Sequence, residues 1–414
     1  MNKKIYFCFP YKDVGGVSIV FLRLSKELSR KGYKCFLIDY KDGYMASYMN
    51  SDVELLEYHD HKLTQIPENT IVVFQSMTPW SIFPNLKIHP DAKVVFWNCH
   101  PFNLVPTMPG IRSFMQANVL FGSFILKTIL RSYKKTIIKF ISYLNKTNAL
   151  FFMDYTNLKT TEEYLNILID SPIFLPIPLK KISSKESHRP NKTNKKIRFA
   201  WIGRLVDFKF YILKRAITDI ENLAFNDKNL KVELIIIGEG PKKKRLLQHL
   251  MKLNNVKFKI IDYIKPTEIE DFLLNEVDLL MAMGTSALEG ARLGIPTILL
   301  DMAYNEVSGT YNYKWLNYRD GYTLGDVINK SHFSSDKDSL RQRLDEFLFD
   351  KKNISNQVRK YYDNNHSTDI ICSKFVKLID KSSCNWKDLE SLNVTNRGYI
   401  YNMFTKIRGI ISSS

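Results

Sequence analysis

The chain has 414 residues, of which 45% are apolar, and a formal net charge of +18. That length is roughly two to three times a typical domain, so two domains, each with its own hydrophobic core, are expected. No stretch reaches the roughly 18 uncharged apolar residues that a spanning helix needs, and the excess of positive charge calls for an anionic partner.

Taken in chain order, the opening MNKKIYFCFPYKD has an apolar run of only five residues before proline and charge. This is too short for a secretory leader and reads as a buried first strand. KIYFCFP, GGVSIVFLRLSKELSRKG and YKCFLIDY then give strand, helix and strand, with Val17, Val20, Phe21, Leu24 and Leu28 on one helical face. Further strands are expected at TIVVFQS (70–76) and AKVVFWN (92–98). A second series follows at KIRFAWIG (196–203), KVELIIIG (231–238), VKFKIID (256–262), VDLLMAM (277–283) and IPTILLD (295–301), with helical segments between most of them. Apolar strands alternating with helices argue for parallel sheets covered on both faces, hence an α/β chain of two doubly wound, Rossmann-like domains. The boundaries expected are a first domain over 1–178, a polar basic linker over 179–196 and a second domain over 197–354. Residues 355–414 are expected to return a helix to the first domain and end in a basic tail. Cys8, Cys35, Cys99, Cys372 and Cys384 are odd in number and show neither paired nor metal-ligand spacing, which fits reduced thiols in the cytosol.

Residues 111–147 break the rhythm, with seven Lys or Arg and no acid. On one helical wheel Leu126, Leu130, Tyr133, Ile137, Phe140, Ile141 and Leu144 cluster on one side, with Lys127, Arg131, Lys134, Lys135 and Lys139 nearly opposite. A basic amphipathic helix of this kind suits the surface of an anionic membrane. It equally suits a helix packed on the first sheet with a solvated cationic face. The two readings are compatible.

In open parallel sheets ligands bind beyond the carboxyl ends of the strands. After the first strand, Gly15-Gly16 opens a helix whose bare amides can face an anion, although a GG pair also makes a plain tight turn. After WIG comes RLVDFK, in which Arg204 and Lys209 suit a diphosphate or a solvated surface pair. Gly238 and Gly240 begin GEGPKKKRLLQHL, but Lys243 occupies the third glycine position of a dinucleotide fingerprint, so NAD is not inferred. Met283-Gly284-Thr285-Ser286 ends another strand, with Thr285 or Ser286 expected to cap the helix ALEGARLG. Glu289 then lies near that cap, an acid inside an otherwise apolar run, where ligand hydroxyls are its natural donors.

This ordered set, GRLxxxK, GEGP and E-x4-G-x-P, resembles the donor domain of retaining, nucleotide-sugar-dependent glycosyltransferases of the GT-B fold, of the bacterial surface-polysaccharide type. The likeness extends to the GGVS loop, VVFWNCHPFN and FLPIPL (174–179), over roughly residues 4–300. It implies two Rossmann-like domains facing across a cleft. It also implies that Arg204 and Lys209 hold the donor diphosphate, that Gly284, Thr285 and Ser286 meet phosphate, and that Glu289 accepts ribose hydroxyls. Gly15, Gly16 and Gly238 fall in donor loops, Tyr263 and Ile264 along the nucleobase, and His100 near the reacting sugar carbon. His100, Arg204 and Lys209 are thus the expected catalytic groups. No metal or cofactor is expected; the single DxD, Asp336-Lys337-Asp338, reads as a solvated loop. The implied partners are a nucleotide-sugar donor, a lipid-linked glycan acceptor and an anionic membrane surface on the cytoplasmic side. Nucleic acid is not expected, because the cations do not interleave with aromatics and are mixed with 42 acids. The sequence departs from the family at Met281, where many relatives carry a second Glu, and at Phe210, where a glycine is usual. A scaffold that kept the fold and lost transfer is the competing expectation.

Overall fold

The computed structural model describes residues 4–13, 15–108, 110–182, 196–265, 267–328, 332–333 and 339–395. The chain divides into two compact units, Met1–Pro178 with Thr368–Ser414, and Leu179–Ser367.

The first unit is built on β1 (Lys4–Cys8), α1 (Gly16–Arg30), β2 (Cys35–Asp39), α2 (Tyr44–Tyr48), β3 (Glu54–Glu57), β4 (Thr64–Ile66), β5 (Thr70–Gln75), β6 (Leu86–Ile88) and β7 (Lys93–Asn98). It continues through α3 (Arg112–Ala117), α4 (Val119–Lys127), α5 (Arg131–Lys146), β8 (Leu150–Phe152), α6 (Tyr155–Leu165) and β9 (Ile173–Phe174). Its main sheet is parallel with order β3-β2-β1-β5-β7-β8-β9, and β4 pairs with β6 apart from it. Strand order thus runs outward both ways from β1, which opens a crevice where β1 and β5 meet. The inner strands read as continuous apolar runs because helices cover both faces: Ile5 to Cys8 and Val94 to Trp97 are all buried. On α1 the stripe Val20, Phe21, Leu24 and Leu28 is buried, while Val17 is half-buried.

In place of one helix over 111–147 there are three. Asn118 is extended (φ −134°) and caps α4, its side-chain oxygen accepting from the Phe121 amide at 3.0 Å. Thr128, at φ −105° and ψ −85°, then ends α4 one turn before α5 begins. Within α5 the expected stripe Ile137, Phe140, Ile141 and Leu144 is buried.

The second unit comprises β10 (Lys196–Ile202), α7 (Asp207–Asn226), β11 (Lys231–Ile237), α8 (Lys243–Leu250), β12 (Val256–Ile261), α9 (Ile269–Glu276) and β13 (Leu279–Ala282). It is completed by α10 (Thr285–Arg292), β14 (Thr297–Leu299), β15 (Lys314–Trp315) and α11 (Leu340–Asn365). The order is β12-β11-β10-β13-β14-β15, all parallel except β15, which lies antiparallel on β14. Here the order reverses between β10 and β13.

Within the expected 355–414, the return to the first unit begins later than 355. Helix α11, with a non-helical Asp350, stays in the second unit through Asn365, and Tyr362 there donates its hydroxyl to the Leu179 carbonyl at 2.8 Å. The crossing comes at α12 (Thr368–Lys381), where Phe375 lies 5.7 Å from the Phe7 ring, and α13 (Trp386–Ser391) follows. Residues 183–195 of the expected linker, Asp336 to Asp338, and the tail from 396 lie outside the described residues.

Candidate functional site

The crevice of the second unit is framed by the loops after β10 and β13. The first is tied tightly to its neighbour: Gly203 N donates to Ile237 O at 3.0 Å, Leu205 N to Glu239 O at 2.8 Å, and Lys242 N to Leu205 O at 3.0 Å. There is no room for a side chain between these loops. A Cβ on Gly238 would stand 2.1 Å from the Gly203 carbonyl oxygen, and one on Gly240 would stand 2.4 Å from that of Leu205. Both glycines adopt positive φ, +146° and +151°, which other residues resist. Gly238 therefore holds two loops together. Lys243, which displaced the dinucleotide fingerprint, pairs with Asp262 at 2.5 Å and ties α8 to the loop after β12.

On this platform stand two cations. Arg204 is exposed and Lys209 half-buried on the first turn of α7. The Lys209 ammonium lies over Gly203, where a Cβ would come within 3.3 Å of it, and 5.9 Å from the Phe208 ring centroid. Neither cation pairs with a carboxylate among the described residues, whereas the nearby Asp207 is taken by Lys242 at 2.5 Å. Burial, and then the Arg204 guanidinium, push the Lys209 pKa down to about 8. An ammonium withdrawn from water beside a second cation stabilises whatever anion enters.

Across the crevice, α10 begins without a side-chain cap. Thr285 and Ser286 are not the cap; Gly284 is, at φ +64° and ψ −144°, held by its amide donating to Leu324 O at 2.7 Å. The amides of Thr285 and Ser286 find no acceptor among the described residues and point from the positive end of the helix. Glu289 comes on the second turn. Its carboxylate is held from within the fold: Arg292 donates to Oε2 through Nε at 2.6 Å and through Nη2 at 2.5 Å, and Nη2 also reaches Glu270 on α9 at 2.7 Å. Arg292 was not singled out from sequence, although its i, i+3 spacing from Glu289 was visible. Met281 is buried within β13. Tyr263 is exposed and Ile264 half-buried just beyond β12.

Behind this frame lies a buried charge that sequence reading passed over. Asp301, fully buried two residues beyond β14, accepts from Tyr311 Oη at 2.6 Å, from the Asp326 amide at 2.8 Å, and from Arg319. Burial, then the Asp301 charge, raise the Tyr311 pKa far above its ordinary value.

In the first unit, Gly15 is extended and precedes α1, Gly16 is exposed, and the Ser18 hydroxyl is buried without a partner among the described residues. Two neighbouring strand ends and the helix after β8 repeat the feature: Ser76 Oγ after β5, Asn98 Nδ2 ending β7 and Asn157 Oδ1 on α6 are buried and unpartnered among the described residues. His100 follows Asn98, its Nδ1 accepting from the Phe102 amide at 3.2 Å, which leaves the proton of the neutral ring on Nε2. Crowding by protein atoms, then the Arg112 charge, lower the His100 pKa. The residue as a whole is exposed, so solvent screens much of that shift. Burial raises the pKa of the Cys99 thiol.

Of the basic residues expected to meet lipid, Lys127, Arg131 and Lys135 are exposed and Lys134 is half-buried. Lys139 is exposed but its ammonium donates to the Leu392 carbonyl at 3.0 Å. Among the described residues no helix is long and apolar enough to cross a membrane.

No family model matches the chain, and no curated protein matches it in sequence. Solved structures do match in shape. A glycosyltransferase from Rickettsia africae superposes with a TM-score of 0.55 at 12% identity, covering 92% of this chain and 98% of that one. HepE from Anabaena, solved with UDP-glucose, gives 0.51 at 12% identity, with 91% and 99% covered. The N-terminal domain of Candida albicans trehalose-6-phosphate phosphatase gives 0.57 at 12% identity, with 92% and 98% covered. The chain therefore has the two-domain α/β fold found in GT-B glycosyltransferases.

Proposed function

We propose that the protein is a glycosyltransferase that takes a sugar from a nucleotide-sugar bound by its second unit. One observation carries the reading: Lys209 and Arg204, side by side at the point where strand order reverses, have no carboxylate partner among the described residues. Opposite them stand the free amides of α10 and the oriented carboxylate of Glu289. A diphosphate on the cations and ribose hydroxyls on Glu289 would satisfy all of these groups at once. As the sugar leaves, negative charge grows on the diphosphate, and each close cation offsets about 4 kcal/mol at an effective dielectric of about 20, before desolvation. In this reading the cations and amides do the work that a metal does elsewhere. Tyr263 offers its ring to the base.

In the same proposal the acceptor lies on the first unit, where the exposed His100 offers Nε2–H. Retention of configuration, a lipid-linked glycan acceptor and work at the cytoplasmic membrane face complete it. The basic surface of α4 and α5 supports the last two.

A second reading is a scaffold without transfer. It is favoured by the apolar Met281 inside β13, and by the fold's occurrence in a domain of a protein named as a phosphatase. Thermal-shift screening with UDP-, GDP-, ADP- and CMP-sugars, followed by transfer or hydrolysis assays, separates the two. Stabilisation lost in Arg204→Met/Lys209→Met, with turnover by the wild type, supports the enzyme. Binding without turnover supports the scaffold, and no response to any of these nucleotide-sugars would sink the donor reading.

A further inference from the structure

Apart from Ser123 and Lys127, the side chains of helix α4 are apolar. Its inner face, Gly122, Ile125 and Leu126, is buried. Gly122 lies so close to Tyr164 that a Cβ would come within 2.5 Å of the ring, and Ser123 Oγ donates to the Tyr164 carbonyl at 3.1 Å. These contacts fix which face turns outward.

That outer face is not polar. Leu120 is 85% exposed and Phe124 60%, with Phe114 on α3 at 58% and Ile129 after α4 at 53%. Phe114 is braced edge-on against Phe121 with ring centroids 4.7 Å apart. A helix apolar all round belongs inside a core or against lipid, and a cluster this exposed marks a contact surface. The surrounding charge is of one sign. Not one acid occurs between Asp91 and Asp154, and Arg112, Lys127, Arg131 and Lys135 are exposed about the apolar cluster.

We propose that this face is a bilayer-docking surface, in which Phe114, Leu120, Phe124 and Ile129 enter the acyl boundary of an anionic leaflet and the four cations meet its phosphates. An apolar projection rimmed by cations complements an anionic lipid surface. A second copy of this chain would bring the same cations, and the same net charge of +18, against themselves. The inference rests on the membrane part of the reading above and is independent of the donor chemistry.

Flotation of the full chain with phosphatidylcholine vesicles, with and without phosphatidylglycerol, tests it. Wild type should float with the anionic vesicles and keep part of its recovery at 1 M salt, where the Debye length falls to about 3 Å. Leu120→Ser/Phe124→Ser should lower recovery about tenfold or more and leave none at high salt. An unchanged melting temperature and an unchanged response to UDP would show that the variant is folded. Equal recovery of variant and wild type, with Lys127→Ser/Arg131→Ser/Lys135→Ser alone abolishing it, would make the contact purely electrostatic and overturn the proposal. So would a wild type that does not float. A wild type of twice the chain mass that the apolar variant returns to a monomer would assign the face to a second copy. None of these outcomes touches nucleotide binding, whose failure would sink the donor reading alone.

Discussion

Arg292 grips Glu289 with two nitrogens on one oxygen, at 2.6 and 2.5 Å, and extends the same guanidinium to Glu270 at 2.7 Å. An acid in an apolar run is thus paired with a buried cation three residues along its own helix, and its other oxygen, Oε1, has no hydrogen bond among the described residues. Arg292→Met would leave two carboxylates facing each other without their cation. Breaking a buried pair costs about 3–5 kcal/mol. Glu289 and Glu270 keep 22% and 37% of their side-chain surface, so solvent screening brings the expectation to about 2–3 kcal/mol. Urea unfolding checks it, and a loss below about 0.5 kcal/mol would show that the fork is ornamental. Glu289→Gln, with Arg292 intact, should weaken UDP about five- to thirtyfold. It should leave pyrophosphate binding unchanged, because pyrophosphate has no ribose.

Glycines near the site should rank by what their Cβ would meet. Gly238→Ala drives a methyl to 2.1 Å from the Gly203 carbonyl oxygen at φ +146°. The loops must separate, at a cost of about 2–4 kcal/mol. Gly284→Ala finds nothing within 4 Å and meets only the backbone strain of φ +64° with ψ −144°, about 1–3 kcal/mol. Melting temperatures in the reverse order would show that loop contact is not what Gly238 provides.

The strands could be seen in the sequence because sheets covered on both faces require unbroken apolar runs, as in KVELIIIG and AKVVFWN. The site residues that follow strands were visible for the same reason. Strand β15 was not, since two antiparallel residues make no run. The break at Asn118 was hidden because its neighbours keep helical periodicity across it, and the extended backbone appears only in three dimensions. The Asp301 cluster joins residues far apart along irregular segments, and each alone looks like an ordinary loop residue. Ser76, Asn98 and Asn157 escaped for a related reason: a single polar residue at a strand end or on a helix reads as surface until its burial is known.

Asp301 bears on the site through Asp326 and Leu324. Its carboxylate fixes the Asp326 amide at 2.8 Å, and Leu324, two residues earlier, supplies the carbonyl that holds Gly284 at 2.7 Å. Asp301→Asn would leave the Arg319 charge uncompensated in a buried place, for a loss of about 3 kcal/mol. It should also loosen the start of α10, so that protection of the Gly284 amide from hydrogen exchange falls. Unchanged protection at Gly284 would confine Asp301 to a stability role.

Lys209 makes the anion site testable by protons. Its folded pKa, about 8, lies below the ordinary 10.5, so between those values the unfolded chain holds a proton that the folded chain has shed. Stability therefore rises with pH through that window, and the cost of burying the ammonium is fully present below pH 8. A bound diphosphate reverses the balance, because an anion beside the ammonium favours its charged form and raises the pKa again. Binding near pH 8 must then take up about half a proton, and affinity for UDP should decline as pH climbs above that value. Calorimetry in two buffers of different ionisation enthalpy measures the uptake directly. At pH 6.5, well below the Lys209 pKa of about 8, none is expected from this group. Lys209→Arg should abolish the uptake at pH 8 while keeping binding, since a guanidinium stays charged throughout. UDP bound at pH 8 by the wild type with no proton taken up would mean that the diphosphate lies away from Lys209.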